Sequence, residues 1–450
     1  MSALKTIAGT VATKGFGFVA TLLIGVMMAR VLGVEGKGTV DALVAWSLLL
    51  LLLYPSLEEP QLYLLGSRTH APATYIANGI LLSMGFGLIV WLCFEALVTH
   101  CPSLFTYRDR VSSEWQSLDM GNLRILVVMS PLVLLQRILC GVLQGLRDMR
   151  SFNRAFLIQH TVLFFGVVVA VLFLRAGVFG ALIAHVAAIV AGGSWALWAC
   201  VTHPDVQGGR FHPSWSLMAC LVRGGLRLHG GVVAAFVIVE SDKLILLRHW
   251  GPPALALYAS AVALTGHIRK LFLLPVKEVL GSRLPSMRSD PERMAETLTK
   301  TCRHTLLVSL VPSVVLLAFG LPILSLLYGA PFREAYGPLI VLIPASLLWT
   351  AAVVISFWFI GKDRFLTLTI IGVGVAGLNL VLNLLVVPAF GGLGAALSSC
   401  LCYALHLGIF LVIIQRAEGL SWRAFLLPRR ADFAVYAPLW HRIRAYLTAR

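Results

Sequence analysis

The chain has 450 residues, 58% of them hydrophobic and only 12% charged, with a mean hydropathy of +0.87. Soluble domains carry about twice that charged fraction, so composition excludes a soluble protein and points to a polytopic, all-helical membrane protein. The net charge of +16 is topogenic, because the basic residues lie largely between apolar runs; no nucleic acid partner is expected.

Twelve transmembrane helices are predicted in chain order, at about 7–30, 40–66, 73–98, 122–146, 152–174, 178–201, 220–248, 253–281, 303–328, 335–360, 364–388 and 391–416. Runs such as 156–174, 306–327 and 366–387 are each about long enough to cross a ~30 Å hydrocarbon core. The first run is too long for a cleavable signal peptide and is interrupted by Lys14. Gly and Pro mark short loops, as in Gly251-Pro252-Pro253 and Gly329-Ala330-Pro331. Two loops are longer: 100–120 is polar, and 203–215 joins the halves. The expected organisation is an N-terminal six-helix lobe (1–202), a cytoplasmic linker (203–219), a C-terminal six-helix lobe (220–416) and a basic cytoplasmic tail (417–450) with an interfacial helix at about 440–447.

Loops on the side of the termini carry Arg147, Arg150, Arg154, Arg283, Arg288 and Arg293, with many more in the tail, whereas the opposite loops hold mostly one basic residue each. This asymmetry places both termini in the cytoplasm.

The two halves repeat. Arg30-Val31-Leu32-Gly33, Tyr54-Pro55, Gln144-Gly145 and Gly180-Ala181-Leu182 recur in order as Arg248-His249-Trp250-Gly251, Leu274-Pro275, Ile360-Gly361 and Gly394-Ala395-Ala396, at an offset of roughly 214–220 residues. Duplicated membrane halves are the usual construction of secondary transporters.

Motifs that resemble enzyme chemistry do not hold up. Gly33-Val34-Glu35-Gly36-Lys37-Gly38 lacks the Ser or Thr that a phosphate-binding loop needs after its Lys. Gly372-Val373-Gly374-Val375-Ala376-Gly377 lies mid-span, where small residues serve helix packing. The histidines and cysteines show no metal-ligand spacing, so neither a metal nor a catalytic residue is expected.

Ionisable residues inside spans are costly and face cavities. They are Lys14, Glu58, Glu59, Arg137, Glu240, Asp242, Lys243, His267, Arg269 and Lys270, followed by Lys277 and Glu278 after Pro275. Most fall in the leading pair of spans in each half, so a central, net-positive cleft is expected. Lys14, Arg137, His267, Arg269 and Lys270 are the substrate-cleft candidates. Glu58, Glu59, Glu240, Asp242 and Lys243 are candidates for a gate or for cation coupling. Asp242 either locks the lobes on the external side through basic partners or binds a coupling cation; Lys243 and Arg248, which would repel a cation, favour the lock.

Ala29-Arg30-Val31-Leu32-Gly33 with Gly36 and Gly38, Ser241-Asp242-Lys243, Leu257-Tyr258-Ala259, Leu284-Pro285, Leu378-Asn379-Leu380-Val381-Leu382-Asn383 and Gly392-Leu393-Gly394-Ala395-Ala396 together resemble the Wzx-type polysaccharide biosynthesis proteins. These are lipid-linked oligosaccharide flippases of the MOP (MATE/MurJ-like) superfamily. The resemblance implies two lobes in a V around a cationic cleft. It implies no enzyme activity and no cofactor, with H+ or Na+ coupling in some relatives. It implies a polyprenyl-diphosphate-linked oligosaccharide as cargo, membrane lipid as surroundings, and a polysaccharide polymerase and chain-length protein as partners, in an O-antigen, capsule or exopolysaccharide pathway. A cation-driven multidrug antiporter is the alternative of the same architecture, disfavoured by Lys14 and a first span without carboxylates. A membrane glycan polymerase or ligase is the alternative of another class, disfavoured by the repeat and by an external loop of only about 20 residues.

Overall fold

The computed structural model describes residues 3–66, 70–109, 112–283, 287 and 290–434. The interfacial helix expected at 440–447 and the side chains of Glu59, Lys277 and Glu278 lie outside the described residues.

Three helices are far too long for one crossing: Ala3–Leu50 with 48 residues, Trp215–Arg283 with 69 and Phe365–Glu418 with 54. At 1.5 Å per residue they would reach roughly 70–100 Å against a ~30 Å core. Each is broken by a glycine at positive φ, Gly33 (71°), Gly251 (75°) and Gly391 (57°), a conformation in which a Cβ would be strained. The arms of these helices and six continuous spans make twelve crossings among the described residues: α1 (3–32), α2 (34–66), α3 (Pro72–His100), α4 (Met120–Gly145), α5 (Met149–Phe173), α6 (Gly177–Val201), α7 (215–250), α8 (252–283), α9 (Pro291–Leu327), α10 (Tyr336–Gly361), α11 (365–390) and α12 (392–418). The chain is an all-α, multi-pass membrane protein. Its outward surface agrees: Leu174, Leu326 and Leu385 are each at least 70% exposed, which suits contact with lipid and not with water.

The repeat is visible in the backbone. Gly33 pairs with Gly251, Arg147 (φ 61°) with Asp363 (55°), and Gly177 (62°) with Gly391. Left-handed residues thus recur at the same turns of both halves, even where the residue is not glycine.

Two faces are distinguished by their loops. The linker face carries 202–214 and the N-caps of α5 and α9, where Asp148 and Asp290 accept from the amides of Ser151 (3.1 Å) and Arg293 (3.0 Å). The hairpin face carries the one departure from an all-helical reading. The polar loop 100–120 folds into an antiparallel ribbon, β1 (Thr106–Arg108) and β2 (Trp115–Ser117), with Tyr107 opposite Gln116.

After α12 the chain turns back under the second lobe. Short helices α13 (Trp422–Leu426) and α14 (Arg430–Ala434) follow, and buried Asp432 meets buried Arg303 of α9. The Arg303 Nε and Nη2 donate to the two Asp432 oxygens at 2.6 and 3.1 Å, and its Nη1 donates to the Ala424 carbonyl at 2.6 Å. The Arg429 amide adds a bond at 2.7 Å. This fork holds the Asp432 carboxyl down at about 2, chiefly through the Arg303 hydrogen bonds.

Candidate functional site

The helix α2 is interrupted halfway through the membrane. Its first part ends at Leu53, Tyr54 is extended (φ −82°, ψ 128°), and helix resumes at Glu58. Unwinding frees backbone carbonyls, which inside a bilayer must find partners in the protein. His229 of α7 supplies one: its Nε2 donates to the Leu52 carbonyl at 2.7 Å, while Nδ1 lies 3.5 Å from the Ser56 hydroxyl. A side chain of the second lobe therefore completes the broken helix of the first.

In the second lobe the basic candidates converge. Lys270 lies within electrostatic reach of Arg269, Lys243 and Glu240, and His267 within reach of Lys270. Glu240 is spoken for by Lys243, at 2.6 Å, so Arg269 and Lys270 leave the cluster positive. On the same helix Leu264, His267, Ile268 and Leu271 share one stripe at helical spacing. That stripe lines an apolar groove of about 900 Å³ against Phe18 and Leu22 of α1 and residues of α9, with Phe433 of α14 at its edge. The His267 ring meets Phe18 edge-on at 4.8 Å. Helix α8 thus presents an apolar groove on one face and two cations on its others.

Asp242 is 3% exposed and lies inside the second lobe. Its Oδ2 accepts from the Tyr258 hydroxyl and from Ser399 Oγ (3.3 Å), and its Oδ1 from the Lys243 amide (2.7 Å). Beside it Asn379 Oδ1 accepts from Asn383 Nδ2 at 3.0 Å and from Ser241 Oγ at 3.4 Å. Asn379 and Asn383 are fully buried, and Asn379 Nδ2 and Asn383 Oδ1 have no hydrogen-bond partner. Among the described residues no cationic side chain forms an ion pair with Asp242. A buried carboxylate without an ion-pair partner is unfavourable, and here hydroxyl and amide donors hold it.

Among the described residues, the hydrogen-bond partners of Asp242 all belong to the second lobe. Lys243 pairs with Glu240 at 2.6 Å but stays within electrostatic reach of Asp242, whereas Arg248 turns to the ribbon. The lobes are joined at the hairpin face by two arginines. At the end of α1, Arg30 donates from Nε to the Leu327 carbonyl (3.0 Å) and from Nη2 to those of Ser325 (3.2 Å) and Leu326 at the end of α9. At the end of α7, Arg248 donates to the carbonyls of Thr106 (2.9 Å) and Ser103 beyond α3, and its guanidinium lies 4.2 Å from the Trp115 ring. Arg30 and Arg248 are equivalent in the repeat, as are α3 and α9, so each lobe clasps the other in the same way. Gly38 seals the contact: a Cβ there would stand 1.9 Å from the Pro252 carbonyl oxygen.

The remaining candidates scatter. Arg137 pairs with Glu58 within the first lobe, away from the basic cluster of the second. Lys14 lies on α1, half-buried and engaged in an interaction. Lys37, in the loop that resembled a phosphate-binding motif, is bound to Asp41 at 2.5 Å. Sequence reading missed the roles of His229, Tyr258 and Ser399 and the interlobe contacts of Arg30 and Arg248. The last carried a signal, since both arginines stand three residues before the repeated glycine.

No curated protein matches the chain. Among solved structures, an inward-facing multidrug resistance MATE family transporter of the MOP superfamily is 14% identical, covers 89% of this chain and 94% of its own, and superposes with a TM-score of 0.76. The lipid II flippase MurJ in an inward closed conformation is 12% identical over 90% of this chain and 87% of its own, with a TM-score of 0.72. An outward-facing MATE family transporter gives 0.63, at 14% identity over 92% and 95%. The fold is therefore that of MOP-superfamily transporters. The family model of the lipid II flippase MurJ matches residues 244–441, and that of the polysaccharide biosynthesis proteins matches residues 104–336. The second match spans more than half of the chain, which belongs to the polysaccharide biosynthesis protein family.

Proposed function

We propose that this protein is a flippase, not an enzyme, and that it carries polyprenyl-diphosphate-linked oligosaccharide from the cytoplasmic to the outer leaflet of a bacterial inner membrane for surface polysaccharide assembly. The observation that carries this reading is the division of labour on α8. Arg269 and Lys270 supply the charge to replace hydration of a diphosphate, while the groove on the adjoining face suits a polyprenyl chain. A diphosphate crossing bare hydrocarbon would cost far more than thermal energy supplies. The cluster's sign disfavours a cationic drug.

In this reading the linker face and both termini are cytoplasmic, as the distribution of Arg residues favours. The paired arginine clasp holds the outer gate shut while the cleft is accessible from the cytoplasm. Release of that clasp, with closure of the linker side, delivers the head group outward by alternating access. The Asp242 pocket, with Ser241, Asn379, Asn383 and Ser399, would hold the coupling H+ or Na+. A polymerase and a chain-length protein would receive the product. The test is surface glycan in cells expressing Arg269→Ala, Lys270→Ala or the double variant. Loss of surface glycan with the protein still in the membrane is expected, and wild-type export by the double variant would remove the cluster from cargo binding.

A further inference from the structure

The second lobe encloses another cavity, of about 280 Å³, between α7, α10, α11 and α12. Gly231, Ala235 and Gly372 leave the space, and Ser356 and Thr369 give it hydroxyls. Both hydroxyls donate to carbonyls of their own helices, Val353 at 2.7 Å and Phe365 at 3.0 Å, so their lone pairs stay available as acceptors. His406 of α12 borders the cavity. It is 8% exposed, and neither ring nitrogen has a hydrogen-bond partner. Its ring is fixed edge-on against Trp349 (5.7 Å) and Phe410 (4.4 Å). A buried polar group left unsatisfied costs about 1–3 kcal/mol. The rest of the lining is largely apolar, and a space of this size has room for on the order of nine waters at ~30 Å³ each.

The cavity and the Asp242 pocket share the same helix faces. Ala235, Ile238 and Asp242 on α7 are spaced three and four apart, as are Gly372, Ala376 and Asn379 on α11 and Ser399, Tyr403 and His406 on α12. The cavity is nearer the linker face by about seven residues, or roughly 10 Å of helix. On α12 Tyr403 lies between Ser399 and His406 in sequence, packs on Trp349 at 4.7 Å and is within electrostatic reach of Asp242. Cys402, Glu240 and Lys243 of these helices, and Arg269 of α8, lie within electrostatic reach of Tyr403 or Asp242; the others are turned elsewhere or distant. His229 faces Leu52, and Lys362, Arg364 and Arg416 lie at the linker ends.

We propose that this cavity is a hydrated vestibule on the linker side of the Asp242 pocket and that His406 is its proton-binding site. The inference rests on the reading of Asp242 as the coupling site, and it names the proton as the coupling ion. The free imidazole nitrogen takes H+ from vestibule water. The imidazolium gives it back to vestibule water, through which it passes to an Asp242 oxygen. His406 ends neutral and Asp242 protonated.

The test uses the full-length protein in vesicles enclosing a pH dye, with uptake followed after an imposed pH step. His406→Gln keeps polarity but carries no proton near neutral pH. It is expected to slow uptake at least tenfold while reaching the wild-type extent. Ser356→Ala combined with Thr369→Val, which leaves His406 intact but makes the vestibule less polar, is expected to slow uptake in the same way. Asp242→Asn should abolish protein-dependent uptake altogether. Wild-type rates in both vestibule variants overturn the vestibule while Asp242→Asn still reports on coupling. Undiminished uptake by Asp242→Asn overturns the coupling reading itself.

Discussion

At the scale of single residues, two carboxylates show how surroundings decide a role. Asp242 is buried with hydroxyl and amide donors and Asp432 is buried in an arginine fork, so only the second has an ion-pair partner. A proton site needs a titratable carboxyl, so Asp242→Asn should lose ion-dependent transport with the fold retained while Asp242→Glu keeps part of it, and ion-dependent export at wild-type level in Asp242→Asn would exclude the site. For Asp432 the sign follows from its depressed pKa. Its pairing contributes fully above the ordinary carboxylate range near 4 and is lost as pH falls through about 2. At neutral pH Asp432→Asn leaves Arg303 buried and unpaired, a change of about 3–5 kcal/mol. The tail should then detach, and limited proteolysis at Arg429 and Arg430 should become faster than in wild type; unchanged cleavage would show that the fork does not hold the tail. Residues of this kind are only half legible in sequence. Asp242 announces itself as a charge in an apolar run, but that Ser399 lies beside it, 157 positions away, is a fact of packing. His229 is a lone histidine in a span, which reads as packing until the broken helix opposite is seen.

Among elements, the paired clasp and the broken helices carry the conformational argument. Each arginine makes several charge-assisted bonds, of the order of 1.5–3 kcal/mol for one hydrogen bond to a charged group, and lysine cannot reproduce the fork. Arg30→Ala and Arg248→Ala should each shift the lobes toward opening at the hairpin face by about tenfold or more. Thiol-reagent labelling of a cysteine placed at Ser103 would report this, and unchanged labelling in the double variant would show the clasp to be incidental. Gly38→Ala offers an independent check, because its Cβ would collide with the Pro252 carbonyl and favour the same opening. The spans themselves were readable, since length and hydropathy dictate them. The ribbon at 106–117 was not: its strands are three residues each, and a short polar ribbon resembles any loop until Arg248 is seen docked against it.

For the whole molecule the duplication explains more than composition does. Left-handed residues at equivalent turns, and equivalent arginines reaching into opposite lobes, describe a two-lobed body whose closed end is stitched symmetrically. The order and spacing of weak motifs foretold this architecture because helix length and glycine turns are local properties. Which charges would meet was not local: Arg137 joined Glu58, whereas Arg269 and Lys270 gathered with Lys243. The most direct test of the central claim is flipping by the purified protein in vesicles of a fluorescent polyprenyl-diphosphate-linked oligosaccharide, read as the fraction accessible to an external quencher. The account predicts protein-dependent loss of the protected fraction, slowed at least tenfold in the Arg269→Ala/Lys270→Ala double variant. Equal rates with and without protein, or transport of the lipid-linked sugar undiminished in the double variant, would contradict it.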